Sequence, residues 1–232
     1  MSRMMDHLAD NLKRVRSEIA AACLRVGRSP AEVKLVAVTK YAELAAVRHL
    51  VDLGILDLGE SRPQQLTERA DQLPAEIHWH FIGHLQRNKV KPVLPRAVLI
   101  HSVDSLKLLE RISNIADELS LRPRVLLEVN VSGEASKDGI ALEELRLQWN
   151  AFQAVPHVEI AGLMTMAPLT DDPEAARPVF RQLRILRDEL AAQAAPHVRL
   201  TELSMGMSGD FPIAIEEGAT LVRIGSRLFA DA

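Results

Sequence analysis

Short apolar runs and amphipathic segments alternate along almost the whole chain. The first segment, residues 4–26, carries apolar side chains at steps of three and four, beginning with Met4 and Leu8. This spacing places them on one face and predicts a single long helix. Gly27 and Pro30 then end the helix, because neither residue favours its continuation. The pattern therefore predicts an N-terminal helix followed by regularly alternating strands and helices.

Several apolar runs have the length and the bounding residues of buried strands. They lie at residues 36–40, 55–58, 78–83, 97–100, 124–131, 158–164, 198–203 and 220–224. The segments between them predict helices at residues 42–53, 63–73, 85–90, 105–119, 142–154, 172–194 and 212–217. Eight such repeats in about 200 residues favour a TIM-type (β/α)8 barrel over an open doubly wound sheet. We therefore predict a single α/β barrel domain over residues 1–232, with an extra N-terminal helix, residues 1–27, packed on it.

Composition and charge exclude several classes of function. The chain is 47% hydrophobic and 25% charged, as in ordinary globular proteins, and its formal net charge of -3 gives no electrostatic basis for binding nucleic acid. It has no apolar run of about 18 residues, and its first residues lack the apolar segment of a signal peptide. The single cysteine, Cys23, excludes a disulfide within the chain and is consistent with a reducing compartment. We expect a cytoplasmic protein that binds neither nucleic acid nor membrane.

The C-terminal ends of the predicted strands carry the side chains suited to chemistry, and in a barrel these ends meet on one face. The first strand ends at Lys40, whose amine can form an imine with a carbonyl group. The last two strands lead into Ser204-Met205-Gly206-Met207-Ser208 and Gly225-Ser226. Glycine backbone N–H groups and serine hydroxyls make phosphate sites, which in barrels favour the loops after strands seven and eight. Each feature alone is compatible with a solvated lysine or an ordinary connector, whereas together they indicate an amine beside a phosphate site.

These segments resemble, in order, the motifs of the pyridoxal phosphate homeostasis proteins, single-domain relatives of the alanine racemase N-terminal barrel. The matching motifs span almost the whole chain: Val38-Thr39-Lys40, Gly59-Glu60, residues 80–89 (HFIGHLQRNK), 130–139 (NVSGEASKDG), 162–166 (GLMTM), 204–208 (SMGMS) and 222–226 (VRIGS). The resemblance implies that the cofactor is pyridoxal 5'-phosphate (PLP), held as an internal aldimine on Lys40. It further implies that Arg223 faces the pyridine nitrogen. The residues implied to hold the phosphate are Ser204, Ser208, Gly225 and Ser226.

The chain departs from the family pattern at two positions. Ser61 follows Gly59-Glu60 where the family usually has an asparagine near the cofactor, so a short hydroxyl replaces an amide. Gly209 precedes Asp210 where an acidic pair is common.

The resemblance also bears on whether the protein is an enzyme. An arginine stays protonated, so a pyridine nitrogen that faces Arg223 remains unprotonated and the ring is a weaker electron sink. The racemases take their second base, a tyrosine, from a C-terminal β domain, whereas this chain ends at Ala232 and its only tyrosine, Tyr41, adjoins Lys40. We therefore expect a monomeric PLP carrier without catalytic residues, which buffers the cofactor or delivers it to PLP-dependent apo-enzymes.

Two other functions remain open at the level of the sequence. A small PLP-dependent amino-acid racemase or lyase would use the same cofactor site with turnover. A phosphosugar barrel enzyme would form the imine between Lys40 and its substrate, without a cofactor. A metal site is disfavoured, because His78 and His80 share one face of a strand but no third ligand follows at a recognisable spacing.

Overall fold

A computed structural model describes residues 2–134, 138–168 and 171–230, with side chains from residue 7 onward. Its strands are β1 (Lys34–Val38), β2 (Asp57–Glu60), β3 (His78–Phe81), β4 (Ala97–Val103), β5 (Arg124–Asn130), β6 (Ile140–Ala141), β7 (Glu159–Met164), β8 (Glu202–Ser204) and β9 (Leu221–Ile224). Its helices are α1 (Ser2–Arg25), α2 (Leu44–Asp52), α3 (Pro63–Gln72), α4 (Val90–Val93), α5 (Leu106–Glu118), α6 (Leu142–Gln153), α7 (Arg177–Ala192), α8 (Phe211–Glu216) and α9 (Ser226–Phe229).

The strands close into a parallel barrel. β1 pairs with β2 on one side and with β9 on the other, and the pairing of β4 with β5 completes the circle. Helices lie between successive barrel strands, which confirms the predicted TIM-type (β/α)8 fold. The two-residue strand β6, which the sequence did not predict, pairs with β5. The C-terminal ends of the eight barrel strands therefore share one face.

The barrel interior holds a small apolar cluster together with buried polar side chains. A small buried cluster that is separate from the main core consists of Val36, Leu99, Leu126, Ala161, Met164 and Leu221. Because side chains alternate along a strand, residues two positions later face the same interior. His101, Glu128 and Arg223 occupy such positions and are all buried. The main core fills the layer between strands and helices.

Helix α1 packs against the last elements of the chain. The side-chain amide of Asn11 donates to the carbonyl oxygens of Leu228 and Ala230, at 3.2 and 2.9 Å, and Arg25 forms an ion pair with Glu216 at 2.6 Å. The residues of its predicted apolar face from Leu8 to Cys23 are buried: Leu8, Leu12, Val15, Ile19, Ala22 and Cys23. Across residues 2–134, 138–168 and 171–230, no helix is both long enough and apolar enough to cross a membrane.

The second and seventh barrel strands begin later than predicted. The N–H of Ile55 still bonds to the carbonyl of Leu50 at 3.0 Å, after Gly54 with a φ of 80°, so this residue belongs to the end of α2. The strand then starts at Asp57. Before β8, backbone hydrogen bonds within residues 195–201 form turns, so that strand starts at Glu202. The apolar residues at these two places are buried as turn residues, which periodicity does not distinguish from strand residues.

Two predicted helices are divided by 3₁₀ turns. In place of a helix over residues 85–90, the chain forms a 3₁₀ turn at Arg87–Lys89 followed by the short α4. The helix predicted from residue 172 begins as a 3₁₀ turn, Pro173–Ala176, before α7. Asp172 caps this turn, because its carboxylate accepts from the N–H of Glu174 at 3.0 Å.

Candidate functional site

Lys40 lies on a tight turn that follows β1. The strand ends at Val38, and the carbonyl of Thr39 accepts from the N–H of Ala42 at 2.8 Å, which closes the turn. The Lys40 side chain is partly buried, and its Nζ lies 5.0 Å from the ring centroid of the exposed Tyr41. Among the residues that the structure describes, the Lys40 amine has no hydrogen bond or ion pair. The amine is therefore available to a ligand at the C-terminal face of the barrel.

A buried ion pair holds the turn that carries Lys40. Arg69, on α3, donates to the carbonyl oxygens of Thr39 and Ala42, at 2.7 and 2.5 Å. The same guanidinium pairs with the carboxylate of Glu60 at the end of β2. That carboxylate also accepts from the hydroxyl of Thr39 at 2.5 Å. Glu60 belongs to a motif that the sequence shows, whereas Arg69 does not, because a helical pattern does not reveal that an arginine turns inward to a neighbouring strand end.

Arg223 lies inside the barrel on β9 and is buried. Its guanidinium donates to the Ser204 hydroxyl at 2.5 Å and to the carbonyl of Thr165 at 3.0 Å. Burial lowers the pKa of Arg223 to about 10, against the opposing effect of the nearby Glu128 and Asp210 carboxylates. Arg223 is therefore still protonated at neutral pH. A guanidinium has more N–H donors than these two hydrogen bonds use, so Arg223 can also donate to a ligand.

The loops after β8 and β9 are joined to each other and to β1. The Ser208 hydroxyl oxygen accepts from the N–H groups of Gly225 and Arg227, at 3.2 and 3.4 Å. A Cβ on Gly225 would lie 3.3 Å from the Cβ of Val38, so this loop packs closely on the end of β1. Gly206 has a φ of 92°, and a Cβ there would come within 2.6 Å of a side chain of α8. Glycine is therefore required at the centre of the Ser-Met-Gly-Met-Ser turn.

The structure separates the predicted site residues into two groups. Lys40, Ser208 and Gly225 lie on the loops that follow β1, β8 and β9, and the exposed Ser226 begins α9 directly after Gly225. Ser204, predicted as a phosphate ligand, is fully buried in the barrel. Its hydroxyl contacts the guanidinium of Arg223 and lies 2.8 Å from the Nδ1 atom of His101. Among the described residues, Ser204 thus forms hydrogen bonds with Arg223 and His101 and none with Ser208 or Gly225.

The two histidines of β3 have different surroundings. His80 is buried, and its ring lies 3.0 Å from an Asp57 carboxylate oxygen and 2.9 Å from the Nε2 atom of His101. His78 is half exposed, with its Nδ1 atom 3.5 Å from the same aspartate. Within the described ranges, no three His, Cys, Asp or Glu side chains are grouped closely enough to hold a metal ion.

Two further motifs lie on loops at the C-terminal face. In the 130–139 motif, the Asn130 amide donates to the Glu134 carbonyl at 2.8 Å and accepts from the N–H of Gly133 at 3.0 Å, while residues 135–137 lie outside the described residues. Ser61, the departure from the family pattern, is partly buried. Its backbone packs on Gly83, where a Cβ would lie 2.2 Å from the Ser61 carbonyl oxygen.

Glu128 is a buried carboxyl group that sequence analysis did not select. It lies on β5, which is separated from β1 by three strands on either side of the barrel. Burial raises the pKa of Glu128 to about 7, and the charges of Asp138 and Asp104 add to the effect while Arg223 opposes it. A carboxyl group of this kind is partly protonated at neutral pH. A glutamate within a clearly predicted β-strand is visible in the sequence. It indicates a buried acid only if the face of the strand that points into the barrel is known.

We expect Glu128→Gln to make stability less sensitive to pH. Between the ordinary value of 4.5 and about 7, folded Glu128 keeps a proton that the unfolded chain has released. The group therefore stabilises the fold fully below pH 4.5, and this contribution is lost as the pH rises through 7. The pKa difference corresponds to about 3 kcal/mol of unfolding free energy. Between pH 4 and pH 8 the parent should therefore lose about that much more unfolding free energy than the variant. Urea unfolding at both pH values measures it.

Glu110→Gln, a change at an exposed position on α5, is the matched control and should give no such pH-dependent gain. Equal free-energy differences for Glu128→Gln at both pH values would show that Glu128 ionises normally in the folded chain.

Comparison with known proteins gives a consistent family. Residues 5–232 match the family model of the alanine racemase N-terminal domain. A pyridoxal phosphate homeostasis protein of Aquifex aeolicus is 43% identical over 223 residues, which cover 96% of this chain and 97% of that protein. A protein of the same name from Pseudomonas aeruginosa is 40% identical and covers 97% of this chain and 96% of its own.

Among solved structures, PipY of Synechococcus elongatus with PLP bound superimposes with a TM-score of 0.84. It is 36% identical, and the match covers 96% of this chain and all of that one. The chain therefore belongs to the alanine racemase N-terminal domain family and, within it, to the pyridoxal phosphate homeostasis proteins.

Proposed function

We propose that this protein binds PLP reversibly through Lys40 and buffers the cofactor or delivers it to other proteins. The observation that carries the proposal is the Lys40 amine, which has no hydrogen bond or ion pair among the described residues and lies 5.0 Å from the ring of Tyr41. Arg69, paired with Glu60, holds the turn after β1 that carries this lysine. The PLP-bound structure of PipY, a relative over almost the full chain, supports the identity of the ligand.

The residues present fit PLP in charge and in hydrogen-bond donors. Lys40 supplies the amine for a covalent bond to the aldehyde carbon. Ser208, Gly225 and Ser226 would hold the phosphate, because they lie together after β8 and β9, where the Ser208 hydroxyl accepts from the N–H of Gly225 at 3.2 Å and can donate its own hydrogen to an anion. Arg223 would donate to the ring nitrogen. Ser204 has a different role in this proposal, because its hydroxyl already contacts Arg223 and His101.

Arg223 is the reason to propose a carrier with little or no turnover. Bound PLP supplies an electron sink for reactions at the α-carbon of amino acids. With a pKa of about 10, Arg223 stays a cation that donates hydrogen bonds, so it does not promote protonation of a ring nitrogen that accepts from it. The pyridine ring would then be a weak electron sink. Tyr41, with its ring 5.0 Å from the Lys40 amine, lies beside that amine and is poorly placed to act as a base from the opposite face.

One observation favours the alternative, a small PLP-dependent amino-acid racemase or lyase. Glu128 is a buried carboxyl group with a pKa raised to about 7 by burial, and it lies on the strand across the barrel from β1. Such a group is suited to general acid–base chemistry near neutral pH. Turnover of amino acids by the PLP-loaded protein, lost in Glu128→Gln, would establish this alternative.

The compartment, the oligomeric state and the recipients of PLP are also part of the proposed function. We infer a monomer in the cytoplasm that delivers PLP to apo-enzymes. Cys23 is a fully buried free thiol, as suits a reducing compartment. The exposed large apolar side chains Leu24, Tyr41, Leu147 and Ile185 lie on three different helices and one turn, which supports a monomer.

The absorption spectrum of the purified chain tests the function. After incubation with PLP, we expect a near-visible imine band that borohydride removes, with a pyridoxyl adduct on the peptide that contains Lys40. Assays with amino acids then separate a carrier from an enzyme, because a carrier shows no meaningful turnover. If no band forms even with excess PLP, the cofactor proposal is wrong, and an imine between Lys40 and a phosphosugar becomes the function to test.

A further inference from the structure

A continuous line of buried polar contacts runs from Arg223 through the barrel interior. The Arg223 guanidinium lies 2.5 Å from the Ser204 hydroxyl, which lies 2.8 Å from His101 Nδ1. His101 Nε2 lies 2.9 Å from His80 Nδ1, and His80 Nε2 lies 3.0 Å from a carboxylate oxygen of Asp57. Asp57 is the first residue of β2. The line therefore joins the N-terminal end of the barrel to the cation at its C-terminal end, and we call these five residues the barrel relay.

Burial and charge at both ends determine the direction of each hydrogen bond in the barrel relay. Burial raises the pKa of Asp57, but the hydrogen bond from His80 and the charge of Lys34 outweigh it and lower the pKa overall, so Asp57 is ionised at neutral pH. A carboxylate only accepts, so His80 donates from Nε2. Burial also lowers the pKa of both imidazoles, most strongly that of His101. In a neutral ring the other nitrogen accepts, so His80 Nδ1 accepts from His101 Nε2.

The same logic fixes the Ser204 hydroxyl. With its proton on Nε2, His101 offers an acceptor at Nδ1, and the Ser204 hydroxyl donates its single hydrogen to that atom. The lone pairs of Ser204 are then free to accept from Arg223, which only donates. The guanidinium is held from a second side by the Thr165 carbonyl. A rotated hydroxyl would direct its hydrogen towards the cation and lose this bond.

We propose that His101, supported by His80 and Asp57, is a positioning residue that fixes the Arg223 guanidinium for its contact with the ring of the bound cofactor. The effect on PLP binding rests on the proposed function, whereas the restraint on Arg223 is present in the ligand-free chain. Ser204 transmits the restraint, which gives this serine a role distinct from phosphate binding.

Side-chain NMR of the ligand-free full chain tests the restraint directly. We expect ¹⁵N shifts that show both His80 and His101 neutral with the proton on Nε2. We also expect slow rotation of the Arg223 guanidinium about its Nε–Cζ bond in the parent chain and rotation at least about tenfold faster in His101→Leu, since one supporting hydrogen bond is lost. A charged ring, an Nδ1 proton, or unchanged rotation in His101→Leu would overturn the proposal.

PLP binding tests the consequence with a matched control. His101→Leu should weaken PLP binding by about tenfold, whereas His78→Leu should leave it unchanged, because His78 lies on the same strand as His80 and near the same aspartate but outside the barrel relay. His101→Gln, whose amide can both accept and donate, should recover part of the affinity. Circular dichroism checks that each variant is folded.

The two proposals fail in different ways. If the parent chain takes up no PLP while the NMR results hold, the proposed function fails and the restraint on Arg223 stands. The positioning role of His101 is overturned if the parent binds PLP and the two substitutions, His101→Leu and His78→Leu, weaken PLP binding equally. It is also overturned if neither substitution weakens PLP binding. If His101→Leu does not fold, Ser204→Ala, which removes only one oxygen of the barrel relay, replaces it in both measurements with the same expected direction.

Discussion

Lys40→Ala should abolish covalent PLP uptake while leaving the fold intact. The amine is the only group of this side chain that the proposed bond needs, and its contact with Tyr41 is at an exposed ring. We expect the free energy of unfolding to change by less than about 0.5 kcal/mol, as for most surface substitutions. Borohydride-trapped adduct, measured by mass spectrometry after incubation with PLP, should fall to zero.

Lys34→Ala provides the matched control for this experiment. Lys34 begins the same strand, β1, is half exposed, and forms its ion pair with Asp57 at 3.5 Å at the opposite end of the barrel. It should retain the adduct on Lys40. Retained adduct in Lys40→Ala would contradict the proposed attachment site, and an unfolded Lys40→Ala chain would show that Lys40 is structural.

Arg69→Met should be the most destabilising of the substitutions considered for this site. Arg69 is buried, and the change leaves the fully buried Glu60 carboxylate without its cation. Removing one partner of a buried ion pair costs about 3–5 kcal/mol of unfolding free energy. The turn that carries Lys40 also loses the hydrogen bonds from Arg69 to two carbonyl oxygens, so PLP uptake should weaken. Urea unfolding and PLP titration measure the two effects.

Two further variants show whether the buried charge is the cause. Arg62→Met, at the exposed residue that precedes the same helix, should change the free energy of unfolding by no more than about 0.5 kcal/mol. Adding Glu60→Gln to Arg69→Met removes the unpaired charge and should recover most of the loss, because the amide still accepts from Thr39. If Arg69→Met is no more destabilising than Arg62→Met, the buried pair does not hold this turn.

Most of the fold could be predicted from the sequence, because buried parallel strands and amphipathic helices leave regular patterns. The alternation of apolar runs and amphipathic segments predicts the barrel, and apolar residues spaced three and four apart predict α1. The errors lie where local hydrogen bonds override hydrophobicity. Ile55 is apolar but bonds to the end of α2, and Asp172 opens a 3₁₀ turn before α7. The pattern of apolar residues alone does not predict such hydrogen bonds.

The candidate site was only partly predictable. Lys40 and the Gly225-Ser226 turn follow strands directly, so the sequence places them at the C-terminal face. Ser204 lies equally close to the end of a strand, and only its inward orientation shows that it contacts Arg223. His80 and His101 are about twenty residues apart, and their 2.9 Å contact depends on the pairing and register of β3 with β4.

The sequence by itself determined the barrel, its N-terminal helix, the lysine after the first strand and the resemblance that identifies the family. These features depend on local periodicity or on contiguous motifs, so they are written along the chain. Only the tertiary structure decided that Arg69 holds the turn of Lys40, that Glu128 is a buried acid, and that Ser204 connects to Asp57 through two histidines. Those contacts join strands and helices at positions set by barrel closure and strand register, and burial then sets their charge states.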